Sequence, residues 1–171
     1  METNIRRTTR DDAFALSLIG KTTFVESYAG KIDGAGLVRH CAEKQSVDFY
    51  QTSLSDSDQA FWIVEANKAP IGYAQVCPPE LNFDGFDEDD LELKRIYLLD
   101  RFQGQGLGKA LLKKAEDHTL ETGMKRLLIG VHVHNHEAIA FYQSQGYVQV
   151  GEHPYNVGGV IYDDPILAKD L

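Results

Sequence analysis

The sequence predicts a mixed α/β fold, a sheet with helices on both faces, in a single domain over residues 1–171. Two observations predict it, and a third fixes its scale. Short apolar runs of strand length are interspersed with stretches of helical spacing, in the order strand, two helices, three strands, helix, strand, helix, two strands. A glycine-rich turn joins the fourth strand to the helix behind it, and strand-to-helix loops are where such sheets collect ligands. The 171 residues, 43% apolar and 25% charged, suit one hydrophobic core.

Residues 5–8 read as a short strand. Thr9, Arg10, Asp11 and Asp12 then supply a capping hydroxyl and first-turn acids to a helix carrying Phe14, Leu16, Leu18 and Ile19. After the break at Gly34 and Gly36, Leu37, Val38, Cys41, Val47 and Tyr50 keep near-helical spacing, which predicts a second helix over residues 35–54. Residues 60–65 and 71–76 are apolar runs on either side of Asn67, Lys68, Ala69 and Pro70, the punctuation of an antiparallel hairpin. The acidic segment 83–90 would bury charge if it packed, so an exposed loop is expected there. Leu91, Leu93, Arg95, Tyr97 and Leu99 alternate with Glu92, Lys94, Ile96 and Leu98 in the next strand. Leu107, Ala110, Leu111, Leu112, Ala115 and Leu120 make a helical stripe over residues 107–122, which Gly123 stops. Residues 126–133 form an apolar strand and 135–145 a helix ended by Gly146; strands at 147–150 and 160–167 follow, around a turn-rich connection at 153–159.

A formal net charge of -9 repels phosphate backbones and anionic lipid heads, so neither nucleic acid nor a membrane is an expected partner. Residues 1–7 lack the apolar core of a signal peptide, and no apolar run approaches the roughly 20 residues of a membrane span. A cytoplasmic protein is expected. Cys41 and Cys77 form neither a CxxC pair nor a Cys/His cluster of metal-ligand spacing, which predicts inert thiols and no metal.

The turn Gln103, Gly104, Gln105, Gly106, Leu107, Gly108 and Lys109 lets several backbone N–H groups converge without Cβ obstruction at a helix N-terminus. The helix dipole adds partial positive charge, so an acidic protein can bind a pyrophosphate there through its main chain. A Rossmann turn would need GxGxxG, and a P-loop would need a hydroxyl residue where Ala110 stands. For the turn alone, glycines placed only for tight packing are the alternative.

Gln103-x-x-Gly106-x-Gly108 resembles the pyrophosphate-binding signature of the GNAT superfamily of N-acetyltransferases, and the pattern Asn135, Ala138, Tyr142, Gly146, Tyr147 resembles the other half of that family's site. The resemblance covers roughly residues 91–150. It implies a mostly antiparallel sheet with a splayed central strand pair, here 90–99 and 126–133, that holds the pantetheine arm of acetyl-CoA through backbone groups of Ile96 and Leu98. It also implies that amides from Gln103 to Lys109 take the pyrophosphate, that Asn135 supports the cofactor, and that Tyr142 donates a proton to the departing thiolate. The alternative for Tyr142 is a core aromatic on an amphipathic helix.

The acceptor amine arrives as an ammonium and must lose a proton before it attacks the thioester. Glu92, opening the strand that holds the thioester, is the candidate base; an exposed strand-edge glutamate is the bland alternative. His132 and His134, flanking Val133, are candidate relays or plain polar residues. No cysteine sits in a nucleophile setting, so direct attack is expected. Residues 92–97, 129–135 and 151–153 and the ending from Ile166 to Leu171 are similar to bacterial spermine/spermidine acetyltransferases. That likeness, with the acids Asp84, Asp87, Glu88, Asp89 and Asp90, suggests a polyamine acceptor. A protein N-terminus or lysine, or a non-catalytic role as an acetyl-CoA sensor, are the other readings. Residues 147–171 carry either a homodimer interface or an internally covered edge.

Overall fold

Alternating and helical apolar patterns become seven strands and five α-helices in a computed structural model that describes residues 2–157 and 160–171. In chain order they are β1 (Thr3–Arg7), α1 (Ala13–Tyr28), α2 (Gly34–Lys44), α3 (Val47–Ser55), β2 (Ala60–Ala66), β3 (Ala69–Cys77), β4 (Asp90–Leu98), α4 (Leu107–Glu121), β5 (Arg126–Gly130), α5 (His136–Ser144), β6 (Val148–Val157) and β7 (Val160–Asp170). The strands hydrogen-bond in the order β1-β2-β3-β4-β5-β7-β6. The β1/β2, β2/β3, β5/β7 and β6/β7 pairs are antiparallel and β4/β5 is parallel, the mixed, mostly antiparallel sheet expected from the sequence. Among the described residues no helix is long and apolar enough to cross a membrane.

The chain divides into two compact units. The first holds the residues up to Val76 together with Arg95–Ala115. Its core joins Leu16 and Ile19 of α1, Tyr50 of α3, Phe61 and Ile63 of β2 and Tyr73 of β3. Arg6 fixes the entry to α1 with a two-pronged hydrogen bond to Asp12, at 2.9 and 2.7 Å, while Asp12 also accepts from the Thr9 amide at 2.7 Å. The single helix expected over residues 35–54 is instead two. Gln45 is 1% exposed and its carbonyl accepts the Ser17 hydroxyl at 2.6 Å, and Ser46 takes an extended conformation whose hydroxyl caps Phe49 N at 3.0 Å. A buried glutamine and a capping serine therefore restart the helix where apolar spacing alone runs on.

The second unit holds Cys77–Lys94 and the described residues from Glu116 onward. Leu128, Ile166 and Ala168 form its core cluster, covered by Leu81, Phe83 and Phe86. The acidic segment 83–90 is therefore not a purely exposed loop. Its two phenylalanines pack, ring against ring at 5.3 Å, and Asp90 is 3% exposed as the first residue of β4. Arg126 neutralises Asp90 with bonds of 2.7 and 2.6 Å, which is how a carboxylate is buried there at all. β5 stops at Gly130 rather than at residue 133: Val131 N still bonds Pro165 O at 3.0 Å in the β5/β7 register, but Pro165 has no N–H to return, and Val133 N goes to the Asp164 carboxylate at 2.9 Å. Residues 153–157, expected in a turn-rich connection, belong to β6 and pair with β7 as far as Val157 opposite Val160; Gly158 and Gly159 lie outside the described residues. Burial of His153 and its pairing with Asp164 extend the strand through a segment whose composition reads as a turn.

The β4/β5 ladder pairs Asp90 with Arg126, Leu91 with Leu127 and Glu92 with Leu128. Among the described residues the strands part after that rung. Beyond it, Gly130 admits the His153 ring and Leu81, each of which would lie under 3 Å from a Cβ at that position.

Candidate active site

In the first unit β4 runs into a 3-10 turn at Asp100–Phe102 and then into the glycine turn. Gly104 and Gly106 sit at φ of 71° and 81°, the left-handed region that glycine enters without strain. Nothing lies within 4 Å of the place a Cβ would take at either. Ala110 N bonds back to Gly106 O at 3.0 Å, which starts α4 and leaves the amides of Leu107, Gly108 and Lys109 in the first turn, where helical geometry gives them no partner. Gln103 to Gly106 are exposed, and Leu107 and Gly108 half-buried. This is the main-chain cradle to which the sequence reading assigns a diphosphate. Gln103 braces it from behind, with Nε2 donating to Leu98 O at 3.2 Å and to Asp100 at 3.1 Å. One lone pair of the Leu98 carbonyl, a group assigned by resemblance to the pantetheine arm, is thus already engaged. Ile96 and Leu98 are half-buried on β4.

In the second unit Glu92 is 4% exposed, so it is not a strand-edge glutamate in water. Burial raises its proton affinity, and the amides of Glu80, at 2.7 Å from Oε2, and Leu81 lower it, with the Lys94 charge acting the same way. Tyr142, on α5, is 5% exposed and its hydroxyl makes no hydrogen bond among the described residues. Burial alone pushes its ionisation well above the ordinary phenol range, so it is a neutral donor at any working pH. Asn135 spends its side-chain oxygen on capping α5, accepting Ala138 N at 3.2 Å. His132 and His134 do come together, rings 5.5 Å apart and both against Tyr162, though on the loop after β5 and not on the strand. The His134 amide donates to His132 Nδ1 at 3.1 Å. Among the described residues no hydrogen bond joins Glu92 to Tyr142 or to either histidine.

Two features escaped the sequence reading. Arg95 lies over the Phe49 ring at 4.6 Å with Nη1 3.4 Å from the Tyr50 hydroxyl, and its place among Leu91, Leu93 and Tyr97 in the apolar register was the available signal. The amides at Glu80 and Leu81 carried no signal, since their acceptor is set by packing. Among the described residues no group of three His, Cys, Asp or Glu is arranged to hold a metal.

Residues 28–147 match the family described as Acetyltransferase (GNAT) family. The chain belongs to that family. GNAT membership makes it an acyl-CoA-dependent acetyltransferase. An uncharacterized N-acetyltransferase of the pepI 3' region in Lactobacillus delbrueckii subsp. lactis is 27% identical over 153 residues, 90% of this chain and 88% of that protein. In structure, the PaiA N-acetyltransferase of Thermoplasma acidophilum in complex with coenzyme A superposes with a TM-score of 0.82 at 22% identity, covering 100% of both chains. YncA of Salmonella typhimurium, solved with its cofactor acetyl-CoA, gives 0.71 at 20% identity over 100% of this chain and 95% of the other. At these identities the structural likenesses establish the GNAT fold.

Proposed function

We propose that the chain, working as one domain over residues 1–171, moves the acetyl group of acetyl-CoA to a primary amine of a small molecule by direct attack in a ternary complex. The observation that carries this reading is the Tyr142 phenol, buried at 5% exposure and without a hydrogen-bond partner among the described residues, a proton donor with nothing in the protein to donate to. Glu92 takes the proton from the ammonium, directly or through one water; the freed nitrogen attacks the thioester carbonyl, the C–S bond breaks as Tyr142 protonates the leaving sulfur, and the second proton that the nitrogen sheds on becoming an amide returns through water to the Tyr142 phenolate, while Glu92 gives its proton to solvent. Amides from Gln103 to Lys109 hold the diphosphate, the backbone at Ile96 and Leu98 the pantetheine arm, and Asn135 the neighbouring part of the cofactor. The coenzyme A and acetyl-CoA held by the PaiA and YncA structures support this use of the fold.

The finer reading is a polyamine such as spermidine or spermine. A net charge of -9 and the exposed Asp84 and Glu88, without ion-pair partners among the described residues, support a polycationic acceptor. The same charge supports the absence of nucleic-acid and membrane partners, and the Cys41 thiol, which lies outside any disulfide, suits a reducing cytoplasm. A homodimer through β6 and β7 completes the reading.

Thiol release from acetyl-CoA over a panel of polyamines, amino acids and peptides tests it. Turnover with spermidine or spermine is expected, and Tyr142→Phe is expected to lower kcat about a hundredfold while calorimetric acetyl-CoA binding is unchanged. Turnover with peptides alone would overturn the small-molecule reading, and acetyl-CoA binding without any turnover would make the chain a sensor.

A further inference from the structure

Residues 78–82, between β3 and β4, have no regular structure, and Pro78 and Pro79 contribute no N–H to any ladder. Yet this segment places the Glu80 amide 2.7 Å from Glu92 Oε2. Two anchors hold it. Leu81 packs on the cluster of Leu128, Ile166 and Ala168, and the Glu80 carboxylate pairs with Lys94 Nζ. Lys94 stands two residues beyond Glu92 on β4, so both side chains leave the same face of the strand. A closed ring results, running from Glu92 along the strand to Lys94, across the ion pair to Glu80, and from the Glu80 amide back to the Glu92 carboxylate.

We infer that Lys94 and Glu80 form a clamp that positions the Glu92 carboxylate, making both positioning residues for acetyl transfer. The inference rests on the reading of Glu92 as the base. A surface ion pair adds little stability, and with side chains 26% and 53% exposed this one is no exception. Its value is geometric. It keeps an amide donor on a buried carboxylate whose ionised form would otherwise be disfavoured.

The groups facing Glu92 give the test its sign. Among the described residues the charges acting on it are Glu80 and Lys94, while β5 presents Leu128 opposite it. Replacing Glu80 by methionine removes a nearby negative charge, and by Coulomb's law alone that lowers the proton affinity of Glu92. Loss of the clamp acts the other way, because the ionised carboxylate loses its amide donor and the protonated form is favoured. Glu92 is to be followed by carboxyl NMR titration in the intact protein, alongside the pH profile of kcat/KM for the amine. In Glu80→Met both midpoints are expected to move up by about one unit with KM for acetyl-CoA unchanged. Lys94→Met should match the direction, and Lys94→Arg should restore the parent values. A midpoint that falls or stays put in Glu80→Met, with near-UV circular dichroism unchanged, overturns the clamp. Full turnover in Glu92→Gln would instead remove the base role, and the NMR titration would still decide the clamp.

Discussion

Gly106 holds its backbone at φ 81°, where an L side chain is strained by about 1–2 kcal/mol. Gly106→Ala meets no atom in its surroundings, so its penalty is conformational and falls on the shape of the cradle. The expected outcome is a rise of about tenfold in the acetyl-CoA dissociation constant by calorimetry, with the thermal midpoint lowered by a few degrees. Residues of this kind are legible in a sequence because glycine spacing is itself the chemistry. Tyr142 was legible only as a motif position, and the structure adds a hydroxyl that makes no hydrogen bond among the described residues, which spacing does not disclose. Glu80 and Arg95 were not, since their partners, the Glu92 carboxylate and the Phe49 ring, lie 12 and 46 residues away along the chain, and only folding brings them within reach.

β4 and β5 begin side by side at Asp90 and Arg126, and the ion pair there is almost wholly buried on the acid side. Removing one partner strands a charge out of water. Asp90→Ala is expected to lower stability by about 3–5 kcal/mol in urea unfolding, whereas charge-free replacement of both partners should cost much less. Arg126 also reaches Gly85 O at 2.9 Å and Asp87 at 3.3 Å, so the same side chain ties down the acidic segment. Composition marked that segment as loop, and composition was right about its irregularity and wrong about its burial. The same limit shows elsewhere. Apolar spacing ran through Gln45 and Ser46 because a cap is a local event that periodicity averages away. It also carried β5 past Gly130, where Pro165 has no N–H to return and Val133 N goes to the Asp164 carboxylate.

For the molecule as a whole, the sheet order leaves β6 at an edge, with Val148 63% and, on β7, Ile161 67% exposed. An edge of this length with apolar side chains invites a partner. The homodimer proposed above should sediment at twice 19.1 kDa, and Val148→Lys should return it to the single mass. Because each chain carries -9, association should strengthen with added salt, and a species insensitive to both salt and Val148→Lys would exclude this interface. The order of elements was legible, apart from the division of the second helix, from apolar runs and their spacing; the partings and joins between elements depend on contacts that no window of sequence contains. The cradle at the start of α4 has a consequence of another kind. Its donors belong to the main chain, so Gln105 and Lys109 are free to drift under mutation while positions 104 and 106 are not, and inherited variation in this enzyme should collect between its glycines instead of upon them.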